Sequence, residues 1–466
     1  MQKRFLYFVL LGMLSLALIS CNLANTPVLQ ANTQTPELAT PTLAHTLQPP
    51  TMTPLPPTDT ALPPTSTTPP SATPVPPSPT AIPATATATG TPTATSVPTA
   101  SGPAISHLAG GKEFTVTFIR MNDASTGWAI GGLEGLGDHV LKTADGGKTW
   151  KDVTPPEPVP SDGSGLLAAG FFPSPNTAWV IYFRSDYFVP VSSVIWSTQD
   201  SGYSWQVSQP LDISTLSENY LPSDLSFSDD QNGWILAHVG AGMNHDYVVL
   251  FHTSDGGQTW TKLIDPTDND GGIQSCHKSG LLFLDAKQGW LTGDCAGVAA
   301  GVLIYRTADG GSTWTDVILP APASDPTIYN DDVHAACGSY DPQFSDLKNG
   351  KLVVKCSFYD QDPVKVVNFL YSTQDGGDTW TSVPYPGGTL LMLDSTTGWA
   401  LGRTIYQTTD GGANWTKQGT VNWDAQFSFV SGQVGWAVAR ADNQIALVTT
   451  ANGGKKWAEI HPTVAP

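Results

Sequence analysis

TADGGKTW, Thr143 to Trp150, is the stretch on which the fold turns, because it returns six more times. The later copies are TQDSGYSW (Thr198 to Trp205), TSDGGQTW (Thr253 to Trp260), TADGGSTW (Thr307 to Trp314), TQDGGDTW (Thr373 to Trp380), TTDGGANW (Thr408 to Trp415) and TANGGKKW (Thr450 to Trp457). An Asp carboxylate accepts backbone N–H bonds within its own turn, glycines take positive φ without steric cost, and Trp supplies a large apolar anchor. The octet is therefore a hairpin staple. Asp145, Asp200, Asp255, Asp309, Asp375 and Asp410 are its turn residues, and Trp150, Trp205, Trp260, Trp314, Trp380, Trp415 and Trp457 its anchors. Asn452 stands in the Asp position of the seventh copy and keeps a turn-capping carbonyl.

A second element precedes most octets: Gly127-Trp128, Ala178-Trp179, Gly233-Trp234, Gly289-Trp290, Gly398-Trp399 and Gly435-Trp436, with Gly350-Lys351 in the fifth unit. A short apolar run and a turn rich in Asp, Ser, Asn and Gln come before each, so every unit predicts four strands. Seven four-stranded units predict an all-β, seven-bladed β-propeller, with a flat solenoid as the alternative.

The octet resembles the Asp box, or bacterial neuraminidase repeat. In families with that motif the boxes sit at the blade periphery, which implies a structural role for the aligned aspartates in place of calcium binding or catalysis. Gly-Trp-Ala followed by Thr-x-Asp-Gly-Gly-x-x-Trp is most similar to the photosystem II stability and assembly factor family. That resemblance implies an extracytoplasmic seven-bladed propeller that binds a partner protein and catalyses nothing. The family presents an arginine-rich patch, whereas this sequence is acidic and arginine-poor, so the fold carries over better than the partner.

Outward from the repeats, composition divides the chain into residues 1–20, 21–104 and 105–466. Lys3 and Arg4 followed by the apolar run Phe5 to Ile19 form an export signal. Leu18-Ile19-Ser20-Cys21 resembles the lipobox of bacterial lipoproteins, which implies cleavage before Cys21, its lipidation, and attachment to a membrane or envelope outside the cytoplasm. Thr26 to Ala104 holds 20 of the 39 prolines among Thr, Ala and Ser, with Glu37 and Asp59 its charged residues. Such a segment cannot bury a core and is expected to be a disordered, extended stalk. Setting aside Lys3, Arg4, Glu37 and Asp59 leaves 19 basic and 38 acidic residues, so the net charge of −19 belongs to residues 105–466. That balance excludes nucleic acid and anionic lipid as broad partners of the folded part.

Cys276 and Cys295 share their sequence separation with Cys337 and Cys356, and each pair brackets the first two strands of its unit. An antiparallel hairpin brings such ends within disulfide range, which predicts Cys276–Cys295 and Cys337–Cys356. A four-Cys metal site lacks CxxC spacing. No cofactor or metal is expected.

In a four-stranded unit the links after strand two and between units share one face, and the long loops collect there. They carry Tyr187, Phe188, Tyr220, Met243, His245, Tyr329, His334, Tyr340 and Tyr359, and long loops on a rigid scaffold are where binding is expected. Packing within the loops is the competing role for these aromatics. Arg403, Arg440, His238 and Lys355 stand four places after the Gly-Trp position, and Arg403 and Arg440 are expected to form a basic spot for an acidic ligand. The expected function is a surface-displayed protein- or glycan-binding scaffold. The alternative is a secreted glycoside hydrolase of sialidase or xyloglucanase type, with Asp294, Asp331 or Asp332 as acids. An Arg-Ile-Pro motif and a recognisable Glu partner are both missing from residues 105–466, which weighs against it.

Overall fold

The computed structural model describes residues 103–186, 193–216, 219–242, 245–295, 302–330, 333 and 335–466. The export signal, Cys21 and the proline-rich segment, together with Tyr187, Asp331 and Asp332, lie outside the described residues.

Seven antiparallel units follow one another at 115–152, 166–207, 221–264, 277–316, 336–384, 389–420 and 424–460. The first is typical: Thr115–Met121, Gly127–Gly132, His139–Thr143 and Thr149–Asp152 pair in sequence order. The fifth departs from the plan, because Ala336–Ser339 and Gln343–Phe344 both pair with Gly350–Phe358. An Asp294–Gly338 pairing also joins the fourth and fifth units into one nine-stranded sheet. One 3-10 turn, Leu133–Gly135, is the sole helical element among the described residues.

The octets close the hairpins between third and fourth strands as their chemistry dictates. In the first, Thr143 Oγ1 donates to Asp145 Oδ1 at 3.0 Å and accepts Gly147 N–H at 3.0 Å. Asp145 in turn accepts Thr149 N–H at 3.0 Å, and Trp150 Nε1 donates to the Gly147 carbonyl at 2.8 Å. Gly146 and Gly147 sit at φ +78° and +91°, which a side chain would oppose. Asn452 reproduces the acceptor, taking Thr450 Oγ1–H at 3.0 Å and Lys456 N–H at 2.9 Å.

The second strands are buried on both faces, and their period of two divides the core. In Ala178–Arg184, Ala178, Val180 and Tyr182 pack with the first unit, while Trp179 and Ile181 pack with the third. Every consecutive pair of units shares such an apolar cluster, and the seventh shares one with the first: Trp436, Val438 and Leu447 lie against Phe114, Trp150 and Val464. The Trp of one unit also reaches the octet of the next. Trp179, Trp234, Trp399 and Trp436 donate Nε1–H to the carbonyls of Gly256, Gly310, Gly453 and Gly146 at 2.9, 2.8, 3.3 and 2.9 Å. The second octet carries Ser201 in place of that glycine, and there Trp128 donates to the Ser174 carbonyl instead.

The ends of the folded part meet by a strand the repeat pattern does not contain. Thr463–Val464 pairs parallel to Thr149–Asp152, with Val464 opposite Trp150. Val464 N–H donates to Lys112 O at 2.8 Å, and Gln426 bonds both the N–H and the carbonyl of Ile119 at 3.0 Å. Sequence alone left this closure open. The final strand runs past the seventh unit's own outer strand, Ala458–Ile460, to reach the first.

Candidate functional site

A close group of ionisable side chains lies where the third and fourth units meet. His238 ends the regular part of Gly233–Gly242, and Asp246 opens His245–Thr253, so the hairpin sets them together: His238 Nδ1 is 2.8 Å from Asp246 Oδ1. His277 starts the first strand of the fourth unit and brings its Nδ1 to 3.3 Å from Asp246 Oδ2. The two imidazoles stack with centroids 5.3 Å apart. Three ligand-type atoms, one from each residue, lie within 4.8 Å of one another. The Lys278 backbone N–H donates to Asp246 Oδ2 at 2.9 Å, locking the carboxylate.

Lys278 itself is fully buried, and its ammonium donates to the carbonyls of Asp246, Ser275 and Cys276 at 2.9–3.0 Å. Burial pulls this amine down to about 8, against the pull of Asp246. Asp246 is held far below the usual carboxylate range: burial opposes the charge, but hydrogen bonds from His238 and His277 and the Lys278 N–H outweigh it.

Nearby, Asp341, which follows Ala336–Ser339, lies against Gly280 of the fourth unit's first strand and within electrostatic reach of Asp224 on Leu221–Phe227. Asp341 is solvent-exposed as a residue, yet the protein packed around its carboxyl pushes it up to about 7, with the Asp224 charge adding to the effect and solvent access moderating it. Burial raises Asp224 too, partly offset by Ser223 and the charges of His238 and His277. Thr292 Oγ1, buried and without a hydrogen-bond partner, lies beside the same strand.

Both predicted disulfides form, Cys276–Cys295 directly beneath the histidine group and Cys337–Cys356 across two paired strands of the fifth unit. Other sequence expectations fare differently. Tyr220 is fully buried between the second and third units and is a core residue, not a loop contact, because the aromatic caps the apolar cluster around Trp179 and Phe251. Tyr329 is half-buried, its hydroxyl 2.8 Å from Tyr371 Oη, which itself donates to Pro320 O. Arg403 forms a two-bond ion pair with Asp424 at 2.9–3.0 Å, and Arg440 donates to Thr117 O at 2.6 Å across the closure. Asp424 stands opposite Arg440 in strand register, so an acid occupies the expected basic spot. Lys355 is exposed. His238 is brought to the group above; Asp246 and His277 escaped sequence reasoning because they belong to different hairpins, although their placement beside Cys276 and in an expanded loop was a usable signal.

The fifth unit's Lys351 has a visible consequence. Where six units insert an indole, a cleft of about 230 Å³ opens, lined by Phe344, Lys351, Met392, Leu393 and Asp394. Lys351 Nζ donates to Ser372 Oγ at 3.2 Å.

No protein-family model matches the chain, and no curated protein matches it. Among solved structures the chain is similar to YCF48 from Cyanidioschyzon merolae at 17% identity, covering 65% of this chain and 86% of that one with a TM-score of 0.43. It is similar to a GH74 xyloglucanase from Xanthomonas campestris at 13% identity, 74% and 72% coverage and a TM-score of 0.25. A microbial sialidase gives 14% identity, 60% and 68% coverage and a TM-score of 0.36. The antiparallel four-stranded units, each packed on the next and the last on the first, are what make this an all-β fold of propeller type.

Proposed function

We propose that residues 105–466 are a seven-bladed β-propeller of Asp-box repeats, displayed outside the cytoplasm on lipidated Cys21, whose long-loop face binds a protein or glycan. The observation that carries the reading is the pairing of exposed aromatics with braced strands. Tyr359 is 72% and Tyr340 45% exposed, and both flank the Cys337–Cys356 bridge in sequence. Aromatic surface held on a rigid frame is the usual currency of recognition, since little side-chain entropy is lost on contact. The two disulfides are compatible with an extracytoplasmic location, and among the described residues no helix is long and apolar enough to cross a membrane.

Glycoside hydrolysis is the second reading, favoured by one feature: Asp341, pushed up to about 7, lies close enough to Asp224 for the two carboxyls to act on each other, the kind of pair glycoside hydrolysis uses. Against it, the arginines expected to grip a charged substrate are engaged by Asp424 and Thr117. The test is to measure retention and released reducing ends on a panel of polysaccharides and sialylated glycans. Retention without turnover, weakened by Tyr359→Ala, supports the binding module. Turnover that disappears in Asp341→Asn or Asp224→Asn replaces it with a hydrolase.

A further inference from the structure

We infer that His238, Asp246 and His277 form a binding site for one divalent transition-metal ion of the zinc class. The donor set is two imidazole nitrogens and one carboxylate, the combination that suits Zn²⁺ and its neighbours. Ligands about 2.0–2.2 Å from a tetrahedral ion stand roughly 3.3 Å from one another. The observed Nδ1–O separations are 2.8 and 3.3 Å, with all three donor atoms inside 4.8 Å, so small side-chain rotations admit the ion.

The support around the donors is of the kind metal sites carry. Asp246 is buried and its Oδ2 is fixed by the Lys278 N–H. The residue before His277 is bridged to Cys295, which holds the start of that strand, and the stacked rings limit each other. His277 is more than half exposed, leaving solvent a route in and the ion an open coordination position. Asp294 stands opposite His277 in strand register and sets a further carboxylate beside the donors. The Lys278 ammonium works against a cation, but three backbone carbonyls enclose that charge.

The site stands apart from the proposal of a protein or glycan partner, and its test uses metal alone. The full chain, stripped of metal by a chelator and dialysed, is titrated with Zn²⁺ by calorimetry, with Mg²⁺ as the oxygen-preferring control. Co²⁺ absorption reports coordination by nitrogen. The expected result is one Zn²⁺ per chain, no Mg²⁺ heat, and a loss of affinity of about 10-fold or more in His277→Ala and in Asp246→Asn. His277→Ala removes an exposed ring, and a single cooperative thermal transition without metal checks that the variant folds. A stoichiometric site that survives both substitutions, or the lack of any Zn²⁺ binding by the parent chain, overturns the inference.

Discussion

Asp341, carried by the fifth unit, lies over the Cα of Gly280 in the fourth, so closely that a Cβ at position 280 would stand 1.3 Å from Asp341 Oδ1. Gly280 is thus the gap through which one unit's carboxylate approaches the Asp224 of another. Gly280→Ala should displace the exposed Asp341 carboxylate and destabilise the fold by about 1 kcal/mol, the low end of overpacking costs, because the clash is with the end of a flexible side chain. In Gly280→Ala/Asp341→Gly most of that loss should return. Urea unfolding of both variants checks this, and an additive pair would show that the two residues do not meet.

The pH behaviour of Asp341 follows from its surroundings. Its folded-state value, about 7, is above that of an unfolded aspartate, so the folded protein prefers the neutral acid. Its contribution is fully present below the unfolded value, near pH 4, and is lost as pH rises through about 7. Asp341→Asn should therefore raise the thermal midpoint relative to the parent at pH 8 and leave it nearly unchanged at pH 4. Equal effects at both pH values would refute the assignment.

The cleft beside Lys351 is a missing indole. At the closure, Trp436 packs in one cluster with Met121 and bonds Gly146, and Met392 and Gly411 hold the corresponding places beside Lys351. Lys351→Trp should stabilise the protein by about 0.5–2 kcal/mol, as cavity-filling changes commonly do. A drop in the denaturation midpoint would mean that the cleft cannot take the ring.

Closure depends on a short strand. Removing residues 462–466 deletes the parallel pairing, the buried Val464 and its bonds to Lys112 and Gly111. The expected loss is about 3 kcal/mol, from burial of one Val and a few net hydrogen bonds. Amide exchange at Thr149–Asp152 should accelerate first, because that strand loses its partner.

Cys337→Ala/Cys356→Ala should cost about 3 kcal/mol, the loop-closure value for a bridge that spans 19 residues. The doubly substituted chain should keep the Zn²⁺ site, since His277 follows Cys276 of the other bridge and His238 is held by Asp246.

Much of the architecture was legible because its causes are local. An Asp that caps its own turn, two glycines at positive φ and a Trp that bonds back three residues need no distant partner, so seven copies announced seven hairpins. Hairpin geometry likewise paired the cysteines. Tyr220 was misplaced because an aromatic in a long link reads the same whether it covers a core or faces water. Arg403 and Arg440 matched in position, yet Asp424 is brought between them by a strand pairing that spacing does not reveal.

Local chemistry set the repeated turn, the four-strand unit and the disulfide partners, since each depends on residues close in the chain, and composition set the sign of the net charge. Long-range packing brought Thr463–Val464 onto Thr149–Asp152, Asp341 over Gly280 toward Asp224, and His277 beside His238 and Asp246, none of which spacing along the chain reveals. Those contacts join different units, and their geometry is set by how successive sheets twist and pack around one another.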